Sequence, residues 1–353
     1  MIRVTQRGDA PHHRDNRAHG GALSRLLHVE HRQLGHSGLR VSRLGLGTMT
    51  WGQDTTTEEA ASQLTAFVDA GGSFVDTADV YNEGESETVV GGLLGDVVPR
   101  ENIVLATKAV ARRTDGPFGG GASRGALLTA LDGSLRRLKV DHVDLWQLHA
   151  WDASVPVEET LSALDAAIAS GKVRYVGISN YSGWQLATAA TLQAAKPAHH
   201  PLISTQVEYS LLERGVEREV VPAAVHHGLG LLPWAPLGRG VLTGKYRNGT
   251  PADSRAASQN LSRYVEHHRT ERAARIVQAV VTAADGLGTS PLCVALAWVR
   301  DRPGVIAPII GPKDTGQLTG CLAAEDLELP RAIRAALDDV SAPTITYPER
   351  RMD

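Results

Sequence analysis

The feature that most narrows the fold is an alternation of two textures. From residue 44 onward, short apolar runs alternate with longer amphipathic segments, the pattern of βα units that build a parallel sheet. Eight runs read as strands: LGLG at 44–47, FVD at 74–76, IVLAT at 103–107, VDLWQL at 143–148, VRYVGIS at 173–179, STQV at 204–207, GLLPW at 230–234 and VIAPII at 305–310. Most start about thirty residues apart, the length of one such unit.

The intervening segments carry helix signals. Thr55 and Thr56 each stand three residues before a glutamate, Glu58 and Glu59, ahead of Ala61, Leu64, Phe67 and Val68 on one face, and Gly71 stops that helix. Leu127, Leu128, Leu131, Leu135 and Leu138 form a stripe after Ser123, and Leu161, Leu164 and Ile168 form another between Pro156 and Gly171. Eight units favour a closed (β/α)8 TIM barrel over an open doubly wound sheet, which more often has fewer strands and a nucleotide fingerprint. Val29 to Leu34 and Leu39 to Arg43 flank His-Ser-Gly at 36–38 and predict an N-terminal β-hairpin across one end of the barrel. A long loop is expected between strands seven and eight, where Lys245 to His268 is polar and could fold over a ligand.

Residues 1–28 read as a tail without periodicity or the apolar core of a signal peptide, leaving 29–353 as one barrel domain. With 36 basic and 39 acidic residues, net charge −3, the chain has no field that would favour nucleic acid or an anionic membrane. No run approaches the roughly 20 apolar residues that span a bilayer. Cys293 and Cys321 make no disulfide framework or zinc spacing, and the four His-His pairs lack suitable acidic ligands, so no metal is expected. A cytoplasmic protein with a small-molecule partner fits best, and a homo-oligomer stays open.

In a parallel barrel the active site lies at the C-terminal strand ends. Strand two ends in Asp76 with Tyr81 in the loop beyond, strand three in Thr107 and Lys108, strand four in Leu148 and His149. Strand five ends in Ser179 and Asn180, strand six contains Gln206, and strand seven ends in Trp234. Each has an ordinary alternative: Asp76 could cap a helix, Lys108 could form a rim ion pair, and His149 could sit in the core. Together they aim ionisable groups at one mouth. A lysine held by a carboxylate can lower a neighbouring tyrosine from its usual pKa of about 10, making Tyr81 a candidate general acid.

These residues resemble the aldo-keto reductases, in particular the bacterial branch that includes potassium-channel β subunits. The resemblance runs from Val29 to Leu322, through LGLGTMTWG at 44–52, DTADVYNEGESE at 76–87, DLWQLHAWD at 144–152, GKVRYVGISNY at 171–181, QVEYSLLER at 206–214 and PWAPLGRGVLTGKY at 233–246. It implies a catalytic tetrad of Asp76, Tyr81, Lys108 and His149, and reversible hydride transfer from a nicotinamide to an aldehyde or ketone, with Tyr81 giving the proton. It also implies cofactor contacts from Gly47, Thr48, Met49, Asp76, Ser179, Asn180 and Gln206, with Trp234 stacking on the ring. Ala235, Leu237, Gly238, Gly240 and Leu242 would line the pyrophosphate, where glycine lets backbone approach closely. Gly311, Lys313, Gln317 and Cys321 would hold the adenosine end, but Lys313, Asp314 and Cys321 depart from the family's Arg, Ser and Asn. Lys313 keeps a positive charge, which favours NADPH over NADH, while Asp314 brings a negative one.

Trp51 and Trp151 read as substrate-pocket residues beside Tyr81 and His149, with rim packing as the alternative. A Rossmann fold is disfavoured because Gly45-Leu46-Gly47-Thr48-Met49-Thr50 lacks the third glycine of GxGxxG. No Tyr-x-x-x-Lys occurs. The competing function is an NADPH-binding regulatory or redox-sensing subunit, which an intact tetrad does not separate from an enzyme.

Overall fold

The computed structural model describes residues 29–196, 200–251, 257 and 262–344; the expected tail 1–28 lies outside them. An antiparallel hairpin of β1 (His31–Gln33) and β2 (Arg40–Ser42) comes first. The barrel strands follow as β3 (Gly45–Gly47), β4 (Phe74–Asp76), β5 (Val104–Ala109), β6 (Val143–Leu148), β7 (Val173–Ser179), β8 (Leu202–Glu208), β9 (Gly230–Trp234) and β10 (Ile309–Ile310). All neighbours pair in parallel in the order β10-β3-β4-β5-β6-β7-β8-β9. A (β/α)8 barrel results.

The expected eighth strand at 305–310 is split between two neighbours. Val305 bridges Leu231 of β9, and only Ile309–Ile310 pairs regularly with β3. Pro308 stands between them, and proline has no N–H to give a ladder. Its carbonyl still accepts from Gly45 N–H at 2.9 Å, so the ring closes.

Around the sheet lie α1 (Thr57–Asp69), α2 (Glu85–Leu93), α3 (Arg124–Leu138), α4 (Val157–Ala169), α5 (Gly183–Ala194), α6 (Val220–His227), α7 (Ser262–Glu266), α8 (Glu271–Leu287), α9 (Pro291–Arg300), α10 (Thr315–Leu322) and α11 (Arg331–Val340). Thr56 accepts from Glu59 N–H and Ser123 from Ala126 N–H, as the sequence suggests, and Ser290 caps α9 in the same way, accepting from Cys293 N–H. The stretch between β9 and β10 is not a bare loop. It contains α7, α8 and α9, and α8 turns Ile276, Val277, Val280 and Ala284 into the core at 3.6-residue spacing. Of the polar segment 245–268, residues 252–256 and 258–261 lie outside the described residues.

Strand alternation layers the barrel interior. Phe74, Ala106, Leu145 and Leu232 pack with Leu34 and Val41 of the hairpin into an apolar plug. Two residues further along each strand, on the same face, stand Asp76, Lys108, Gln147 and Trp234. A dry floor thus carries a polar layer at the C-terminal mouth.

Candidate active site

The polar layer converges on one ammonium. Lys108 is fully buried, and its Nζ donates to Asp76 Oδ2 at 2.5 Å, to the Thr77 carbonyl at 2.9 Å and to Tyr81 Oη at 3.2 Å. Asp76 is fixed from its other side as well: Oδ1 accepts from Gln147 Nε2 at 3.2 Å and Gln206 Nε2 at 3.0 Å. Tyr81 begins a single 3-10 turn after β4, held toward the neighbouring loop by Asn82, whose Nδ2 donates to the carbonyls of Met49 and Trp51. His149 presents its ring edge-on to Tyr81, centroids 5.9 Å apart.

Burial dominates the titration of these groups. It pushes the Tyr81 hydroxyl up; Lys108 pulls it back, Asp76 and Asp79 add to the rise, and the net direction is above an ordinary tyrosine. This corrects the expectation that Lys108 would bring Tyr81 down, because removing a phenolate from water costs more than one ammonium returns. Burial also works against the Lys108 charge, but Asp76 and Tyr81 more than offset it and its pKa is raised. For His149, burial and then repulsion from Lys108 act together and bring the imidazole down to about 3.

A cavity of about 730 Å³ opens over this group. Gly47, Met49, Asp76, Ser179, Asn180 and Gln206 line it, together with Tyr81 and His149. Trp234, Ala235, Leu237 and Gly240 contribute from the end of β9, and Gly311, Lys313, Gln317 and Cys321 from the segment after β10. Side chains within it brace one another: Asn180 donates to the His149 carbonyl at 2.9 Å and accepts from Trp234 Nε1 at 3.0 Å, while Ser179 Oγ donates to the Gln206 carbonyl.

Three expected cofactor residues stand behind the lining. Thr48 is buried, with Oγ1 bonded to Ser86 and the Asp76 carbonyl; Gly238 and Leu242 are buried beneath the turn after β9. Trp51 is not a pocket residue. It is fully enclosed, and its Nε1 donates to Gln63 of α1 at 3.2 Å, so its side chain belongs to the core. Trp151 is half-buried and packs edge-on against Tyr181 and Trp184, outside the cavity lining. Asp314 also departs from expectation: its carboxylate caps α10, accepting from Gln317 N–H at 2.8 Å and Gln317 Nε2 at 2.7 Å. Its charge is directed at amides.

Sequence reading missed Gln147, Arg239 and Lys245. Gln147 could have been found two residues before His149, on the same face of its strand. Arg239 and Lys245 line the cavity within the quoted motif at 233–246, and Arg239 lies over the Trp234 ring at 5.2 Å. Gly240 gives them room: at φ +90°, a Cβ there would stand 3.2 Å from Lys245 Nζ. Among the described residues, no three His, Cys, Asp or Glu side chains group closely enough to hold a metal ion.

Comparison with known proteins agrees with this arrangement. The sequence model described as Aldo/keto reductase family matches residues 43–342. The chain is 38% identical to the uncharacterized oxidoreductase YrpG of Bacillus subtilis over 321 residues, covering 88% of the chain and 96% of that protein. It is 35% identical to a probable voltage-gated potassium channel subunit beta of Oryza sativa subsp. japonica, over 91% of the chain and 98% of the relative. Aldo-keto reductase dtxS3 of Metarhizium robertsii is also 35% identical, over 89% and 92%.

Proposed function

The chain belongs to the aldo/keto reductase family, and from that premise we propose that it reduces an aldehyde or ketone using NADPH, with Tyr81 as proton donor. Membership makes it an NAD(P)H-dependent oxidoreductase of a small molecule. The observation that carries the finer reading is the 3.2 Å contact between Lys108 Nζ and Tyr81 Oη, made by an ammonium that Asp76 holds in place.

When bound, the cofactor supplies the hydride. The residues around the cavity suit it: Arg239, Lys245 and Lys313 offer three positive charges for phosphates, and Gln206 Oε1 and the second Asn180 Nδ2 hydrogen are left for a carboxamide. Tyr81 enters the reaction protonated, because its pKa is raised. A carbonyl oxygen becoming an alkoxide is a stronger base than a phenolate, so the proton passes from Tyr81 downhill. The Lys108 ammonium steadies the phenolate left behind, and Asp76 prevents that ammonium from turning away. His149 is neutral and donates a hydrogen bond from Nε2 to the carbonyl oxygen without contributing charge.

Tyr81→Phe is expected to lower kcat/KM for 4-nitrobenzaldehyde with NADPH by about 10²- to 10⁴-fold, the span of general acid catalysis, with NADPH affinity nearly unchanged. Turnover by this variant equal to that of the parent protein would refute Tyr81 as donor. If the parent itself binds NADPH tightly and turns over no carbonyl, the regulatory-subunit reading replaces the enzyme.

A further inference from the structure

One wall of the cavity is made by two turns that are bonded to each other. The turn after β3 closes on a single carbonyl: Thr50, which lines the cavity, accepts from the N–H groups of Gln53, Asp54 and Thr55. The segment after β10 brings Gly311, Pro312 and Lys313 to the same cavity. Thr55 joins the two, its Oγ1 donating to the Lys313 carbonyl at 3.2 Å. Glu59 of α1 strengthens the join, one carboxylate oxygen accepting from Thr315 N–H at 2.5 Å and from Thr315 Oγ1 at 2.7 Å. Across this join Lys313 Nζ lies 3.9 Å from Asp54 Oδ2.

Three carboxylates border the segment, and they are differently engaged. Asp314 caps α10, Glu59 holds Thr315, and Asp54 meets the ammonium. The Lys313 and Asp54 side chains are 24% and 35% exposed, so water reaches the pair and their attraction is weak enough to be exchanged for another. The Lys313 backbone is held at both ends of its peptide unit, by Thr55 at its carbonyl and by Gln317 Oε1 at its N–H. Its four-carbon stem still turns, so the charge can leave Asp54 while the main chain stays in place.

We propose, resting on the reading of Lys313 as the contact for the 2′-phosphate, that Asp54 is a specificity-determining residue. It is a rival for the Lys313 ammonium that narrows the preference for NADPH and lets NADH serve as a second cofactor. A 2′-phosphate carries about two negative charges near neutral pH. To gain Lys313 it must draw the ammonium from Asp54 and leave that carboxylate without its counter-charge, so part of the attraction is lost. NADH brings a hydroxyl to the same place. Lys313 then keeps Asp54, and no ammonium is left unpaired beside an uncharged ribose.

Fluorescence titration of the full chain with NADPH and with NADH tests this, using Asp54→Asn, Lys313→Ala and the double variant. Asp54→Asn is expected to tighten NADPH binding about 2- to 5-fold, the scale of one partly exposed ion pair, and to leave NADH almost unchanged. In the Lys313→Ala background most of that gain should vanish, because no ammonium is left to compete for. Asp54→Ser should repeat the gain, and Asp54→Glu, which keeps the charge, should stay near the parent's ratio of affinities. Damage to the turn would weaken both cofactors, whereas rivalry moves only their ratio. An unchanged ratio in folded Asp54→Asn and Asp54→Ser, or a gain of the same size with and without Lys313, would overturn the role of Asp54. Equal losses of NADPH and NADH in Lys313→Ala would instead remove the phosphate contact on which that role depends.

Discussion

His149 enters the site as an uncharged imidazole. Its Nδ1 is enclosed and without a partner, so Nε2 is the ring nitrogen left for the cavity. With its pKa near 3, it stays neutral through the range where an ordinary histidine near 6.5 would charge. The folded value lies below the unfolded one, so the stability tied to neutral His149 is present above about 6.5 and lost as pH falls toward 3. Two outcomes follow for catalysis: kcat/KM for reduction should show no imidazole titration between pH 5 and 7.5, and His149→Gln should retain more activity than His149→Ala. A limb near 6.5 that vanishes in His149→Gln would contradict a neutral role. At this scale much was legible, because an apolar strand ending in an ionisable residue points that residue at the mouth. What was not legible was net acidity. Lys108 beside Tyr81 suggests a lowered pKa, but the opposing effect of burial depends on walls that sequence does not draw. Trp51 was unreadable for a similar reason: its neighbours in sequence line the mouth, while its own side chain turns back to Gln63.

The strand-to-helix connections carry the strain. Of the seven non-glycine residues with positive φ among the described residues, Asn82, Glu83, Val110, Asn180, Ala235 and Arg239 follow barrel strands at the catalytic end; Lys139 is a helix cap. Val110, branched at Cβ and at φ 110°, follows directly on β5. Such conformations cost about 1–3 kcal/mol each and persist where the surroundings fix them, as they must around a cavity that holds several loops in register. Helix starts were readable from Thr56 and Ser123, because a cap is a local bond. The positive φ values were not, since none of the six strand-end residues is glycine. The segment from β10 to α10 shows what an element can hide. Asp314 reads as a charge opposing a phosphate, but as an N-cap it spends that charge on α10 amides, leaving Lys313 at the cavity with Asp54 at 3.9 Å as its nearest anion. Lys313→Ala should therefore weaken NADPH binding on the order of tenfold, the scale of one charge-assisted hydrogen bond, and NADH binding little. Fluorescence titration with both cofactors checks this, and equal losses would remove Lys313 from 2′-phosphate recognition.

The whole molecule separates its stability from its chemistry along the barrel axis. The C-terminal mouth contains the strained connections and the polar layer around Lys108, whereas the opposite end is bound by a dense ionic clasp. Arg300, at the end of α9 and 1% exposed, donates to the carbonyls of Ala324, Glu325 and Leu327 and is bidentate with Asp301. Arg32 of the hairpin reaches the Arg300 and Val305 carbonyls, and Arg43 pairs with Glu325 at 2.6 Å. The clasp joins the hairpin, the approach to β10 and the segment after α10, where β10 offers only two paired residues to close the ring. The eight-unit repeat made the barrel legible from sequence, but this clasp joins residues up to 282 positions apart and no local pattern announces it. Arg300→Met keeps much of the buried volume and strands the Ala324 and Leu327 carbonyls, while the Glu325 carbonyl keeps Arg43 and the Asp301 carboxylate keeps only Arg32. Removing one partner of a buried pair costs about 3–5 kcal/mol, which in a domain of this size lowers Tm by roughly 10 °C. At 25 °C the folded fraction should keep the parent's kcat and KM, because no part of the clasp lines the cavity. Calorimetry alongside steady-state kinetics reads both. A variant that keeps its Tm, or one that stays folded and loses kcat, would mean that the two ends of the barrel are not separable in this way.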